Sequence, residues 1–203
     1  MGVKERKERD KEAMHQLILE AAHKLFVDRG FEEVSIRNIA EAIEYSPATI
    51  YLYFKDKNEI YYALQCEAFK TFNEYMVASF APTDPFDRLI EMGALYVKFA
   101  FQYPLYYKIM FIAEAPMLCD KTTDGWMEGE KALGALEGIV EACMKNGHFE
   151  GQRVREISFS VWSFVHGMCS LVLTNRMKHY PDEEHELMIE RAFQSFQIML
   201  SRL

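Results

Sequence analysis

Positive charge is in short supply in this chain, where 23 Lys and Arg stand against 31 Asp and Glu for a formal net charge of −8. That balance excludes indiscriminate coating of nucleic acid, which needs a broadly basic surface. Cysteine is scarce too. Cys66, Cys119, Cys143 and Cys169 lie far apart, form no C-x-x-C and have no histidine at ligand spacing, so a disulfide scaffold and a zinc site are both unsupported. Reduced thiols, no metal and no cofactor are expected. Strand-like alternation of useful length is missing, as are repeats and low-complexity tracts. The opening MGVKERKERDKE has basic residues with no apolar run behind them, and Arg6 stands where an acylation motif wants Ser or Thr. A cytoplasmic location without membrane attachment is therefore expected. One run of near-membrane length, 157–175, lacks charge but contains Ser158, Ser160, Ser163, His166, Ser170 and Thr174, and reads better as a buried interface helix.

What the chain does have is apolar material in helical order. Half of its 203 residues are apolar, enough for a sizeable core. Residues 3–12 alternate in sign, as in a solvated helix extension or a frayed arm. Met14, Leu17, Ile18, Ala21, Leu25 and Phe26 then form one stripe, and Gly30 is placed to end that helix.

The stretch 35–57 is the most informative. Ile36, Ile39, Ala40 and Ile43 share a face behind the N-cap Ser35. After a turn at Glu44-Tyr45, Ser46 caps a second, very short helix that starts at Pro47, where a missing N–H costs nothing. Ile50 and Phe54 point inward, leaving Ala48, Thr49, Tyr51, Leu52 and Tyr53 outward. Two short helices in this order, the second presenting its N-terminal half, form a helix-turn-helix that lays a recognition helix in the DNA major groove. Arg37 either reaches a guanine edge or is a solvated surface arginine, and Leu52 suits a thymine methyl. Residues 1–60 carry ten Lys/Arg and twelve Asp/Glu, a net of −2, so DNA contact has to be local, at Arg37, Lys55 and Lys57.

Behind it, Asp56 and Glu59 make an Asp form of the capping box and start a long helix to about residue 81, with Lys57 in its first turn beside a phosphate-favouring helix end. The break APTDP at 81–85 stops it. Further helices are expected near 85–102, 104–113, 124–146, 152–178 and 183–202, giving an all-α fold of about nine helices: a three-helix helix-turn-helix domain followed by a helical bundle.

Ile39-Ala40 followed at fixed spacing by Ser46, Thr49-Ile50-Tyr51, Phe54-Lys55, Lys57 and Glu59 resembles the tetracycline-repressor (TetR) family of one-component transcription regulators, over roughly the first third of the chain. The chain departs from the family pattern at Glu44, where glycine is usual, and at Leu52-Tyr53-Phe54, where the family often has aromatic-His-Phe. A left-handed turn at Glu44 would carry strain of about 1 kcal/mol. The resemblance implies DNA contact by Thr49, Tyr51, Leu52, Tyr53 and Lys57, with Ser35 and Ser46 near the backbone. It also implies a DNA-binding domain over 1–56 and a ligand-binding and dimerisation domain over 57–203.

Tyr96, Phe99, Tyr103, Tyr107, Met110 and Trp126 raise the aromatic and Met density of the second part. They are core, or together they surround a small, largely apolar ligand. Trp162 and His166-Gly167 share a helix face and resemble the Trp-x-x-x-His-Gly signature of one TetR subgroup. His166 is open between a bonded core histidine and a ligand contact, with no partner group at a spacing that suggests metal or catalysis. Gly167 points to close approach by another helix. Phe164, Met168, Leu171, Val172, Ile189, Phe193 and Phe196 give the last two helices more apolar face than a small bundle needs, so an isologous four-helix homodimer interface is expected. The composite expectation is a homodimeric transcriptional repressor, not an enzyme, that binds a palindromic operator and is released by its ligand. The alternative is a helical ligand carrier or enzyme that retains an unused helix-turn-helix.

Overall fold

A computed structural model describes residues 2–113 and 124–203. Among them are nine α-helices, two 3₁₀ turns and no strand. In order the helices are α1 (Val3–Arg29), α2 (Ile36–Ala42), α3 (Pro47–Ile50), α4 (Lys57–Met76), α5 (Pro85–Gln102), α6 (Pro104–Phe111), α7 (Asp124–Lys145), α8 (Val154–Leu173) and α9 (His185–Leu200). The all-α expectation holds.

Two compact units divide the chain. The first comprises 1–69 and 105–127, the second 70–104 and 128–203. Sequence reasoning placed a functional division at 56/57, whereas compactness cuts within α4 and gives most of α6 to the first unit.

In the first unit α1 packs on α2 and α2 on α3 around Ile18, Phe26, Ile39, Ile50, Tyr61 and Leu64. Phe26, Phe31 and Tyr61 meet in edge or tilted pairs with ring centroids 5.1–5.6 Å apart. Tyr61 is buried, which pushes its phenol up to about 12. Its hydroxyl keeps a partner by donating to the Ile109 carbonyl at 3.0 Å, which fastens α6 to α4. Residues 3–12 are helical, with 4–12 exposed, so the arm is an extension of α1 rather than frayed. Gly30 ends the helix at φ 86°, and its N–H bonds the Phe26 carbonyl at 3.0 Å.

In the second unit α5 packs on α8, and α8 on α9. Asp84 caps α5 by accepting from the N–H groups of Phe86 and Asp87 at 2.8 and 3.1 Å, with Pro85 in the first turn. One helix end needs correcting. α8 stops at Leu173 instead of 178, because Thr174 leaves helical geometry and Asn175 turns left-handed at φ 55°. Within the chain a close helix approach falls at Gly93, where an added Cβ would lie 2.9 Å from the Phe193 ring, while an added Cβ at Gly167 would meet nothing of this chain within 4 Å. Gly167 faces a side of α8 that the unit leaves open.

Candidate nucleic-acid interface

Local capping fixes the reading head. The Ser35 hydroxyl accepts from the Asn38 N–H at 3.2 Å, and Asn38 Oδ1 returns to the Ser35 N–H at 2.9 Å. At the other end of α2, Glu44 adopts φ 60°, the Glu44 N–H bonds the Glu41 carbonyl, and the Tyr45 N–H bonds the Ala40 carbonyl at 2.9 Å. This is a Schellman ending with glutamate in the left-handed position that glycine takes without strain. The turn is therefore left-handed and strained. Ser46 caps α3 through the Thr49 N–H at 3.3 Å, and its hydroxyl lies 3.0 Å from that of Thr49.

Ile50 and Phe54 are buried, so the helical register pushes Tyr51 and Leu52 outward, 57% and 78% exposed. An isolated apolar side chain at a protein surface needs no explanation, but here it sits between tyrosines in a segment held by caps at both ends. Arg37, Ser35 and Ser46 are exposed, and Thr49 and Tyr53 are half-buried. Tyr53 leans on the core cluster. Tyr45, 46% exposed in the turn, adds an aromatic to this face that sequence reasoning did not single out. The signal was its place one residue before the α3 cap.

Lys57 is engaged inside the unit. Its ammonium donates to the Phe31 carbonyl at 2.7 Å, lies 3.4 Å from the Glu32 carbonyl, and sits 4.2 Å over the Phe31 ring centroid. The α4 start is capped by Asp56, which accepts from the Glu59 N–H at 2.9 Å, while the Glu59 carboxylate takes the Lys55 N–H rather than the expected Asp56 N–H. Lys55 itself is exposed.

The expected ligand residues fall in both units. In the first, Tyr107 and Met110 are buried. The Trp126 side chain lies outside the described residues. In the second, Tyr96 and Phe99 are buried and Tyr103 is half-buried. Tyr96 joins Trp162 and His166, with Trp162 Nε1 3.3 Å from the Tyr96 hydroxyl and that hydroxyl 3.2 Å from His166 Nδ1. Indole N–H can only donate, so Tyr96 accepts from Trp162, and its hydroxyl shares a hydrogen bond with His166 Nδ1. Burial lowers the pKa of the His166 imidazole. Of the expected interface residues, Ile189 and Phe196 are buried within the chain itself, and Phe164 stacks on Phe196 with centroids 3.9 Å apart. Phe193 fills the space over Gly93, Met168 and Val172 are half-buried, and Leu171 is half exposed. An open cleft of about 280 Å³ in the first unit is lined by Arg29, Lys108, Glu32 and Glu33 among others, a mixture that favours no single charge.

Against known proteins, residues 18–64 match the N-terminal profile described as bacterial regulatory proteins, tetR family, and residues 89–196, more than half of the chain, match the tetracyclin repressor-like C-terminal domain. The chain belongs to the TetR family. This TetR-family chain is 40% identical over 58 residues to an HTH-type transcriptional regulator of Staphylococcus aureus strain USA300. That match takes in 28% of the chain and only 31% of the relative's length. The solved structure of AibR in complex with isovaleryl coenzyme A and operator DNA has a TM-score of 0.74 at 19% identity, covering 92% of this chain and 97% of that one. FadR from Bacillus subtilis in complex with stearoyl-CoA has a TM-score of 0.72 at 18% identity, covering 88% of this chain and 95% of that one. At these identities the likeness is one of fold.

Proposed function

We propose that this TetR-family chain is a homodimeric transcriptional repressor that reads a palindromic operator and is released by a small, largely apolar acyl ligand. The observation that carries the reading is the outward face of α3, where Tyr51 and Leu52 are exposed between two capped helix ends while Ile50 and Phe54 anchor the segment from behind. Ser35, Arg37, Ser46, Thr49, Tyr51, Leu52 and Tyr53 form the DNA-reading set, within a reading domain over 1–56. Lys57 serves it as a positioning residue, tying the start of α4 to the turn after α1.

Dimerisation is assigned to α8 and α9 in the 57–203 portion. α8 is apolar and long enough to cross a membrane by length and composition, yet only 28% of its apolar window is buried within the chain. Phe159, Ser163, Gly167 and Leu171 recur every fourth residue along its open side, with Phe159 65% and Leu171 50% exposed. Ile198 and Met199 on α9 are likewise exposed. An uncharged stripe with small residues at its centre fits a second copy of the same helix. Ile189 and Phe196 support this face from inside.

For the effector, Tyr96, Trp162 and His166 supply polar tips among aromatic surface. The fold neighbours' coenzyme A ligands point to acyl thioesters as the class to try first. Because a ligand shifts DNA affinity only by its differential affinity for two arrangements, α4 is the element assigned to carry that difference. The test is release of a labelled operator duplex on titration with isovaleryl-CoA and stearoyl-CoA, beside coenzyme A alone. Release by an acyl thioester and not by coenzyme A supports the reading, and failure of every acyl chain length to move the DNA affinity overturns the ligand class. A cytoplasmic location belongs to this proposal, since its partner is DNA.

A further inference from the structure

We infer that the overhanging start of α1 is a second DNA contact, which holds the phosphate backbone beside the operator through Lys4, Lys7 and Lys11. This rests on the operator-reading proposal and extends it to the flanking duplex. Every residue from Lys4 to Ala13 is exposed, so this stretch of helix contributes nothing to the core of its own unit.

The three lysines recur at i, i+3 and i+7 and therefore share one helical face. Continued at the same spacing, that face becomes Met14 and His15, then Ile18 and Ala22, the stripe that packs on the reading head. His15 stacks on Phe54 with ring centroids 4.6 Å apart and planes at 29°. Phe54 closes the recognition segment. The lysine face thus overhangs on the side of α1 that touches the end of that segment, and at 1.5 Å per residue it reaches roughly 16 Å beyond His15.

The charge pattern also asks for a partner. Lys4, Lys7 and Lys11 are neighbours of like sign at i,i+3 and i,i+4, and so are Glu5, Glu8 and Glu12 a quarter-turn away. Glu8 stands within helical reach of Lys4 at i,i+4 and of Lys11 at i,i+3, yet forms an ion pair with neither. Of the overhang's other charges three are occupied: the Glu5 carboxylate accepts from the Gly2 N–H at 2.8 Å, and Arg6 lies 3.8 Å from Asp10, while Glu8, Arg9 and Glu12 have no ion-pair partner among the described residues. Among the described residues none of the three lysines has an ion-pair partner. A row of unpaired ammonium groups fits a polyanion, and phosphate contacts of this kind position a protein without reading bases. They also supply what the acidic reading domain needs, because Lys57 is engaged internally and the overhang holds five of the ten cations in residues 1–60.

The test uses the full chain and the duplex it selects from a random pool, made with long flanks and again cut at the edges of the selected sequence. The triple variant K4A/K7A/K11A keeps good helix formers at each position, and its helix content is checked by circular dichroism. On the long duplex the variant is expected to bind roughly tenfold or more weakly, with the slope of log affinity against log salt shallower by up to about 0.9 for each lost phosphate contact. The ranking of base substitutions stays unchanged, and the difference from wild type disappears on the cut duplex. Equal affinity and equal slope on the long duplex overturn the inference while leaving operator reading intact. Failure of the wild type to select any duplex overturns both.

Discussion

The Lys57 ammonium lies 2.7 Å from the Phe31 carbonyl oxygen and 4.2 Å over the same residue's ring. One side chain at the start of α4 thereby fastens the turn that follows α1, and with it the support of the reading head. Lys57→Ala is expected to destabilise the protein by about 1–2 kcal/mol, the magnitude of a charge-assisted hydrogen bond and a partly buried cation–π contact. Thermal unfolding measures it. DNA affinity should fall alike for all sequences, since the residue positions the head and reads no base.

Arg37→Ala and Leu52→Ala address base reading instead. Each should relax preference at particular base pairs by about 1–3 kcal/mol without changing stability, because both side chains are exposed. Binding to a panel of single-substituted operators measures this. Uniform weakening across the panel would show that neither reads a base.

Glu44 sits at φ 60° in the turn between α2 and α3. Glu44→Gly removes the left-handed strain and partly offsets that gain with the entropy of glycine in the unfolded chain. A net stabilisation of about 0.5 kcal/mol is expected, a rise of roughly 1–2 °C in Tm for a chain of this size. Operator ranking should be unaffected.

His23 is buried, stacks on Tyr106 at 5.0 Å, and leaves Nε2 without a partner among the described residues. Burial lowers its pKa, against weaker opposing effects from the Leu105 backbone and the Glu67 carboxylate, which itself accepts from the Tyr106 hydroxyl at 2.6 Å. A histidine whose folded pKa is depressed binds fewer protons than the unfolded chain once pH falls below about 6.5. Its contribution is therefore complete above that pH and declines as pH drops through it. His23→Phe keeps the stacking and removes the titration, so the loss of Tm between pH 7.5 and 5.5 should shrink in this variant. An unchanged loss would assign the acid sensitivity to other groups, His166 among them.

The helix order was legible because punctuation residues are read locally. Asp84-Pro85 starts α5 and Pro104 starts α6 at the residues expected, and Ser35 and Ser46 cap the helices they precede. Long-range partnerships were not. Apolar periodicity marks Ile189 and Phe196 as facing something, without distinguishing the chain's own α8 from a second copy. The close approach within the chain, at Gly93, carried no local signal, since a glycine's open side depends on which helix lies across it. Trp162 and His166 share a face by spacing alone, but the hydroxyl that joins them comes from Tyr96, 66 and 70 residues away. Lys57 stood next to a helix start that invites phosphate, and only the fold brings the Phe31 carbonyl, 26 residues earlier, within its reach.

The most direct measurement is selection of bound duplexes from a random DNA pool, followed by titration of the winner at two salt concentrations. A dimeric reader recovers a two-fold symmetric sequence with half-sites about one DNA turn apart, and its affinity falls steeply as salt rises. Recovery of no sequence above background would contradict operator reading and leave the helix-turn-helix of this chain without DNA.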